Sequence, residues 1–253
     1  MLLAITRDIS PRFNECEITH IDRSPIDVAV AQSQHHGYVQ ALKDLGCAVL
    51  ELPAEPDLPD SVFVEDAAIV FPEAALITNP GADSRKPETE SIARALTPYR
   101  ELIQVKPPAT VDGGDVLVLG KDIFVGMSTR SNRDAVDQLN QLLDRFGYQA
   151  HAVDLHDCLH LKTAVTRVDD KTLLINQGWV DVEHFEGYEL IGVDPTEPFA
   201  GNCLPINGSI IVPTAFPKTA KKLEARGFTL KQVIVDELAK AEGAVTCCSL
   251  IIS

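Results

Sequence analysis

Asp112-Gly-Gly-Asp115-Val116-Leu-Val-Leu119-Gly120-Lys-Asp-Ile123-Phe-Val125-Gly126-Met-Ser-Thr-Arg130-Ser-Asn132 is the stretch whose reading decides the fold. Two short apolar runs, Val116–Leu119 and Ile123–Val125, flank a Gly-Lys-Asp turn, which is the pattern of a β-hairpin. A helical stretch starts at Asn132. The same arrangement recurs outward from here. Ala67 to Val70 pairs with Ala75 to Thr78, and Thr163 to Val168 with Thr172 to Asn176 across Asp169-Asp-Lys171. Helical stretches begin near Pro25, Pro87, Asn132, Asp181 and Pro217. The first is expected to run from an N-cap at Ser24 through Pro25 to Leu45, with Gly46 as its stop and Cys47–Leu52 as the strand that follows. The period is about 45–50 residues, as in propellers and repeat arrays. Five ββαβ-like units predict radial closure around a central channel, in which residues near positions 60, 112, 160 and 247 meet. No linker or low-complexity tract divides the chain, so residues 1–253 are read as one α/β catalytic domain.

Composition narrows the function classes. Apolar residues make up 45% and charged residues 23% of 253, which is ordinary for a folded globular chain. The formal net charge of −15 leaves no basic footprint for nucleic acid. Most of that acidity serves solubility. No apolar run approaches the ~20 residues of a membrane span, so no membrane partner is expected. The N-terminus lacks a basic segment followed by an apolar stretch and cleavage site. Six cysteines occur without any C-x-x-C pair or disulfide-like spacing. A reducing, cytoplasmic setting is the expectation.

Certain residues carry chemistry. Glu242-Gly-Ala-Val-Thr-Cys247-Cys248-Ser249 places a thiol after a small, flexible turn. A nucleophilic cysteine needs such a loop position and a nearby base. His160, at the expected entrance of a strand, is a candidate base. Asp112-Gly-Gly-Asp115 allows close backbone approach and could direct Asp112 into a site. Asp60-Ser-Val-Phe-Val-Glu65-Asp66 puts carboxylates at the expected start of a Val/Ile-rich strand, a breach of local preference of the kind functional sites show. Arg85 and Arg130 each follow a Gly- and Ser-containing turn and suit a carboxylate ligand. Taken singly, each residue has a plainer explanation: a packed cysteine, an Asx turn, a solvated strand end, a surface arginine. Together they offer a nucleophile, a base and several carboxylates for a cationic substrate, which points to hydrolysis at a guanidinium carbon. No Gly-rich phosphate loop, H-E-x-x-H or EF-hand pattern is present, and neither a metal nor a cofactor is expected.

These blocks, in this order, resemble the dimethylarginine dimethylaminohydrolase family of the guanidino-modifying pentein superfamily. The resemblance runs from Glu17-Ile-Thr-His20 to Thr246-Cys-Cys-Ser249, through Pro59–Asp66, Gly81–Arg85, Asp112–Asp115, Ser128–Asn132 and Leu159–Thr163. It implies a five-bladed, pseudo-symmetric α/β propeller. It also implies hydrolysis of Nω-methylated arginine, asymmetric dimethylarginine or monomethylarginine, to citrulline and dimethylamine or methylamine through a covalent cysteine–thiouronium intermediate. Cys247 is then the nucleophile, His160 the acid/base and Asp112 its acidic partner. Glu65 and Asp66 would hold the guanidinium, Asp60 would lie near the α-amino end, and Arg85 and Arg130 would hold the α-carboxylate. The backbones of Ile18, on a lid-like N-terminal loop, and of Ala241 would contact the amino group. Relatives of this kind can be homodimers, although no interface is legible in the sequence. Arginine deiminases typically carry His-x-Asp where this chain has His160-Leu-Lys162. A deiminase-like or other guanidino-modifying hydrolase is the alternative reading.

Overall fold

The computed structural model describes residues 1–253. Strand β1 (Leu3–Arg7) leads through helix α1 (Val28–Asp44) to β2 (Ala48–Leu52), which lies parallel to it. Four units of one plan follow. The first contains β3 (Ala68–Val70), β4 (Ala74–Ile77), α2 (Glu88–Leu96) and β5 (Glu101–Gln104). The second contains β6 (Val116–Leu119), β7 (Asp122–Met127), α3 (Arg133–Leu143) and β8 (Gln149–Asp154). The third opens with the short helix α4 (Leu161–Ala164), followed by β9 (Val165–Arg167), β10 (Thr172–Ile175) and β11 (Glu189–Gly192). The fourth contains β12 (Leu204–Ile206), β13 (Ser209–Pro213), α5 (Pro217–Ala225) and β14 (Thr229–Val233). After α6 (Asp236–Ala239), β15 (Leu250–Ile252) returns to pair antiparallel with β1. The result is five three-stranded sheets. In each of the four middle units, the first two strands pair antiparallel and the third adds in parallel to the second.

The first strand of each hairpin faces the channel: β15 lies beside β3, β6 beside β9, and β9 beside β12. The middle strands are covered on both faces, which is why β4 reads Ala-Ala-Leu-Ile and β10 Thr-Leu-Leu-Ile without alternation. The outer helices are amphipathic. On α3, Ala135, Leu139 and Leu143 are fully buried, and Asn132 caps its start by accepting from Ala135 N–H.

Several expected element ends are corrected. The first helix begins at Val28, because the Asp27 carboxylate, not Ser24, accepts from Ala29 and Val30 N–H. Near Asp181 there is only a 3-10 turn, Val182–Phe185. His160 precedes α4 rather than entering a strand directly, and Glu65 and Asp66 lie on a 3-10 turn, Val64–Ala67, one element before β3.

These last corrections expose a rule of the fold. A tight turn precedes the inner strand of every unit: Val64–Ala67, Gly113–Asp115, α4, Pro198–Gly201 and residues 245–248. The five turns occupy equivalent places around the ring, so their side chains converge at one end of the channel.

Candidate active site

Asp66, Asp112, His160, Asn202 and Cys247 belong to or border those five turns. Three of them, Asp66, His160 and Cys247, share the wall of a small cavity of about 20 Å³ with Asp60, Arg85 and Arg130. The backbone stretch from Ala241 to Gly243 completes one side. Asp112, Glu65 and Ile18, also expected at the site, are not part of that wall.

Asp112 stands behind the imidazole. Its Oδ2 lies 3.3 Å from His160 Nε2, and its Oδ1 accepts Gly81 N–H at 2.9 Å. The glycines of the motif act through close approach. A Cβ on Gly114 would fall 2.6 Å from His160 Nδ1 and 2.8 Å from Asp66 Oδ1, while Gly114 N–H donates to that same oxygen at 2.8 Å. Asp115, which the sequence offered only as the end of a turn, proves to be a hub. It is fully buried; Oδ1 accepts Leu161 N–H at 3.0 Å, and Oδ2 accepts Ser128 Oγ and Ser131 Oγ, each at 2.6 Å. One carboxylate thus ties the histidine turn to the Arg130 loop. Burial alone would lower the His160 pKa, but Asp115, Asp66 and Asp112 outweigh it and lift the imidazolium to about 9. The ring therefore holds a proton at neutral pH.

Of the six cysteines, Cys247 alone is not buried. Cys248 is fully buried, with its Sγ 3.5 Å from the Ala244 carbonyl, so exposure separates the two neighbours. Loss of solvation at the sulfur and, after it, the Glu65 and Asp66 charges push the Cys247 thiol up to about 12. The turn that carries it is fixed on three sides. Glu65 N–H donates to the Cys247 carbonyl at 3.2 Å. Asn202 accepts Thr246 N–H at 3.1 Å and donates to Thr246 Oγ1 and the Lys162 carbonyl, both at 2.9 Å. Ser249 Oγ lies 2.7 Å from the buried Tyr38 hydroxyl. Gly243 admits no side chain: a Cβ there would fall 2.2 Å from Phe63 Cε1.

Glu65 turns away from the thiol cavity. Its Oε1 accepts Lys162 Nζ at 2.5 Å and its Oε2 accepts Thr246 Oγ1 at 2.8 Å. Glu65 and Lys162 both line a larger cavity, of about 490 Å³, on the other side of the channel.

The arginines differ in how far they are committed. Arg85 donates from Nε and Nη2 to Glu88 at 3.2 and 2.8 Å, from Nη1 to Asp66 Oδ2 at 2.6 Å, and from Nη2 to the Phe63 carbonyl at 3.1 Å. Of its five N–H groups, this leaves one on Nη1. Burial outweighs the Arg85 charge at Glu88 and raises that carboxyl to about 7. Arg130 is freer: Nη2 donates to Thr19 Oγ1 at 3.1 Å, and Nη1 stands 3.7 Å from Asp112. Asp60 accepts Glu17 N–H at 3.2 Å on both oxygens, and burial raises its pKa. Ile18 is half-buried against the core, between these tethered neighbours.

One oxygen or nitrogen each from Asp66, Asp112 and His160 lie within 4.8 Å of one another, the spacing of a metal site. Arg85 and Gly114 already engage Asp66, and the imidazolium and Arg130 face Asp112. The group is thereby organised as an ion-paired acid–base set.

The arginine deiminase family model matches residues 56–203. An N(G),N(G)-dimethylarginine dimethylaminohydrolase of Streptomyces coelicolor is 38% identical over 98% of this chain and 95% of its own length. A crystal structure of the Pseudomonas aeruginosa enzyme of that name, a mutant complexed with citrulline, superposes with a TM-score of 0.94 at 29% identity, covering 99% of this chain and 98% of the other. A second structure, a dimethylarginine dimethylaminohydrolase adduct with S-methyl-L-thiocitrulline, gives a TM-score of 0.94 at 30% identity, with 99% of each chain covered.

Proposed function

The chain belongs to the dimethylarginine dimethylaminohydrolase family, with the pentein fold, and we propose from its site that it hydrolyses Nω-methylated arginine to citrulline and the methylated amine. The observation that carries this reading is the cavity itself: one accessible thiol, a protonated imidazole braced from behind by Asp112, the two buried carboxylates of Asp60 and Asp66 and two arginines meet there.

The guanidinium carbon is resonance-stabilised and water attacks it poorly, so a covalent route lowers the barrier. Cys247, as the thiolate, forms the C–S bond. His160 delivers its proton to the methylated nitrogen, the C–N bond breaks, and neutral dimethylamine leaves a thiouronium on Cys247. The neutral imidazole then takes a proton from water, whose oxygen attacks the same carbon. Collapse of that second adduct breaks the C–S bond and releases citrulline, a proton and the thiolate. Asp66 receives the unmethylated nitrogen and Asp112 keeps the imidazolium in place. Asp60 and Arg130, with the remaining Arg85 N–H, receive the amino-acid end.

The thiol at about 12 is protonated in the empty cavity. Desolvation and then the Glu65 and Asp66 charges hold that proton on; a guanidinium cation beside Asp66 offsets the second of these, so substrate binding helps create the nucleophile. Lys162 has a related consequence. By pairing with Glu65 it removes one acceptor from the guanidinium side, which suits a substrate with fewer N–H donors than arginine.

The test is citrulline release from asymmetric dimethylarginine, symmetric dimethylarginine and arginine, with wild type and Cys247→Ser. Turnover of the asymmetric substrate, weak turnover of the symmetric one, and loss of at least about 10³-fold in the variant are expected. Turnover of arginine alone would transfer the chain to the deiminase reading.

A further inference from the structure

Glu242 has no part in the chemistry above, yet it lies on the cavity wall in the turn that leads to Cys247. Its φ is +58°, in the left-handed region. Glycine or asparagine occupies that region readily, and glutamate does not. A side chain kept at such a position points to a task for it. Oε2 accepts Thr19 N–H at 2.8 Å and Oε1 accepts His20 N–H at 2.7 Å, so one carboxylate fork grips two successive backbone amides. These bonds join the N-terminal loop to the nucleophile turn.

That loop, residues 16–27, contains no helix or strand and depends on tethers. Besides Glu242, Asp60 holds Glu17 N–H, Arg130 holds Thr19 Oγ1, and Ser84 Oγ donates to Glu17 Oε1 at 2.7 Å. Asp60 and Arg130 are also the groups that receive the substrate's amino-acid end. The substrate's α-ammonium and α-carboxylate compete for them with Glu17 and Thr19. The substrate brings no group that competes for Glu242, so the carboxylate is free to retake the two amides once the ligand is in place. The cavity beneath is about 20 Å³, against the roughly 300 Å³ or more of a ligand-filled pocket. The loop is therefore latched shut.

We propose that Glu242 is a positioning residue, a latch whose carboxylate releases the Thr19 and His20 amides to admit substrate and retakes them to hold the Ile18 backbone against the substrate's α-amino group. The identity of that substrate rests on the reading above; the latch rests on the geometry alone.

The test compares wild type with Glu242→Gln and Glu242→Asp. Glutamine keeps the length but turns one acceptor into an N–H₂ group that faces a backbone N–H, which breaks the fork. For asymmetric dimethylarginine, KM in the glutamine variant is expected to rise on the order of tenfold, the value of one charge-assisted hydrogen bond, while kcat moves less. Glu242→Asp, which keeps both acceptors, should restore part of the difference. An alkylguanidine with the same dimethylated head but no amino-acid end must pass the loop but makes no contact with the Ile18 backbone, so its inhibition constant should not weaken in the glutamine variant as KM does. Without any ligand, iodoacetamide should alkylate Cys247 severalfold faster in Glu242→Gln than in wild type at the same pH. A merely structural role would instead lower the thermal midpoint and weaken both ligands together. Unchanged KM with unchanged alkylation overturns the latch. If wild type hydrolyses no methylated arginine, the functional reading fails separately, and the alkylation ratio still decides the latch, equal rates overturning it.

Discussion

Cys247 and His160 are each shifted away from the state that the usual pair of thiolate and neutral base would show. The thiol is pushed up to about 12 and the imidazole up to about 9, so the resting pair is a neutral thiol beside a cation. Two predictions belong to this scale. At pH 6, iodoacetamide should react slowly with Cys247 in the free protein, and non-reactive guanidinium ligands that leave the thiol open should quicken the reaction; rapid alkylation of the free protein would contradict the account. The second concerns the acid form of His160. Its folded pKa lies above the ordinary 6.5, so in the substrate complex, where the guanidinium lets the thiol ionise, kcat should fall as pH rises through about 9. Asp115 is the largest of the carboxylate influences that hold the proton there. Asp115→Asn should move that alkaline limb to lower pH, and a pH–rate profile that keeps its limb near 9 would remove Asp115 from this role. The same shift bears on stability. The proton bound by folded His160 contributes fully below the unfolded pKa near 6.5 and is lost as pH rises through about 9.

At the scale of elements, the hairpins were the most legible part. Val116–Leu119 and Ile123–Val125 carry enough β-branched and aromatic side chains around a Gly-Lys-Asp turn to specify β6 and β7 locally. Element starts were less so, because capping by Asp27 competes with the Ser-Pro signal that precedes it. The β12–β13 hairpin turns across Asn207-Gly208, both at positive φ, which is the local Asn-Gly signal for a two-residue turn. Among the site residues, Cys247, His160 and Asp66 could be found from local oddities and motif order. Asp115 and Asn202 could not, since their meaning lies in partners distant along the chain, Leu161 and Thr246 respectively; Glu88 could not because its partner Arg85, only three residues away, turns inward rather than to the surface. The recurrent turn before each inner strand is the retrospective signal for Asn202, the fourth unit's counterpart of the catalytic positions. Just ahead of the fifth such turn, Gly243 packs directly against the Phe63 ring. Gly243→Ala should cost about 1–3 kcal/mol through the clash with Phe63 and lower kcat as the Cys247 turn shifts. Equilibrium denaturation beside steady-state kinetics checks it, and a variant with wild-type stability would show that the turn has slack.

The whole molecule is a ring closed by its own ends, with β15 pairing β1 only a few residues after the nucleophile. Closure and catalysis are thereby linked. Leu250 is buried at the seam, and Leu250→Ala should destabilise the fold by about 2–5 kcal/mol, with activity declining before global unfolding is complete. Coincident loss of activity and of far-UV ellipticity would show that the seam opens only when everything does. The radial plan explains why residues spread over most of the chain act at one carbon atom, and why no one segment reveals the site. The central claim is that this carbon becomes bonded to Cys247. The most direct measurement is the intact mass of enzyme acid-quenched during turnover of asymmetric dimethylarginine, followed by peptide mapping. The account predicts a mass gain equal to the substrate less dimethylamine, on Cys247 and absent in Cys247→Ser. Citrulline accumulating with no such adduct, or with the adduct on Cys248, would contradict it.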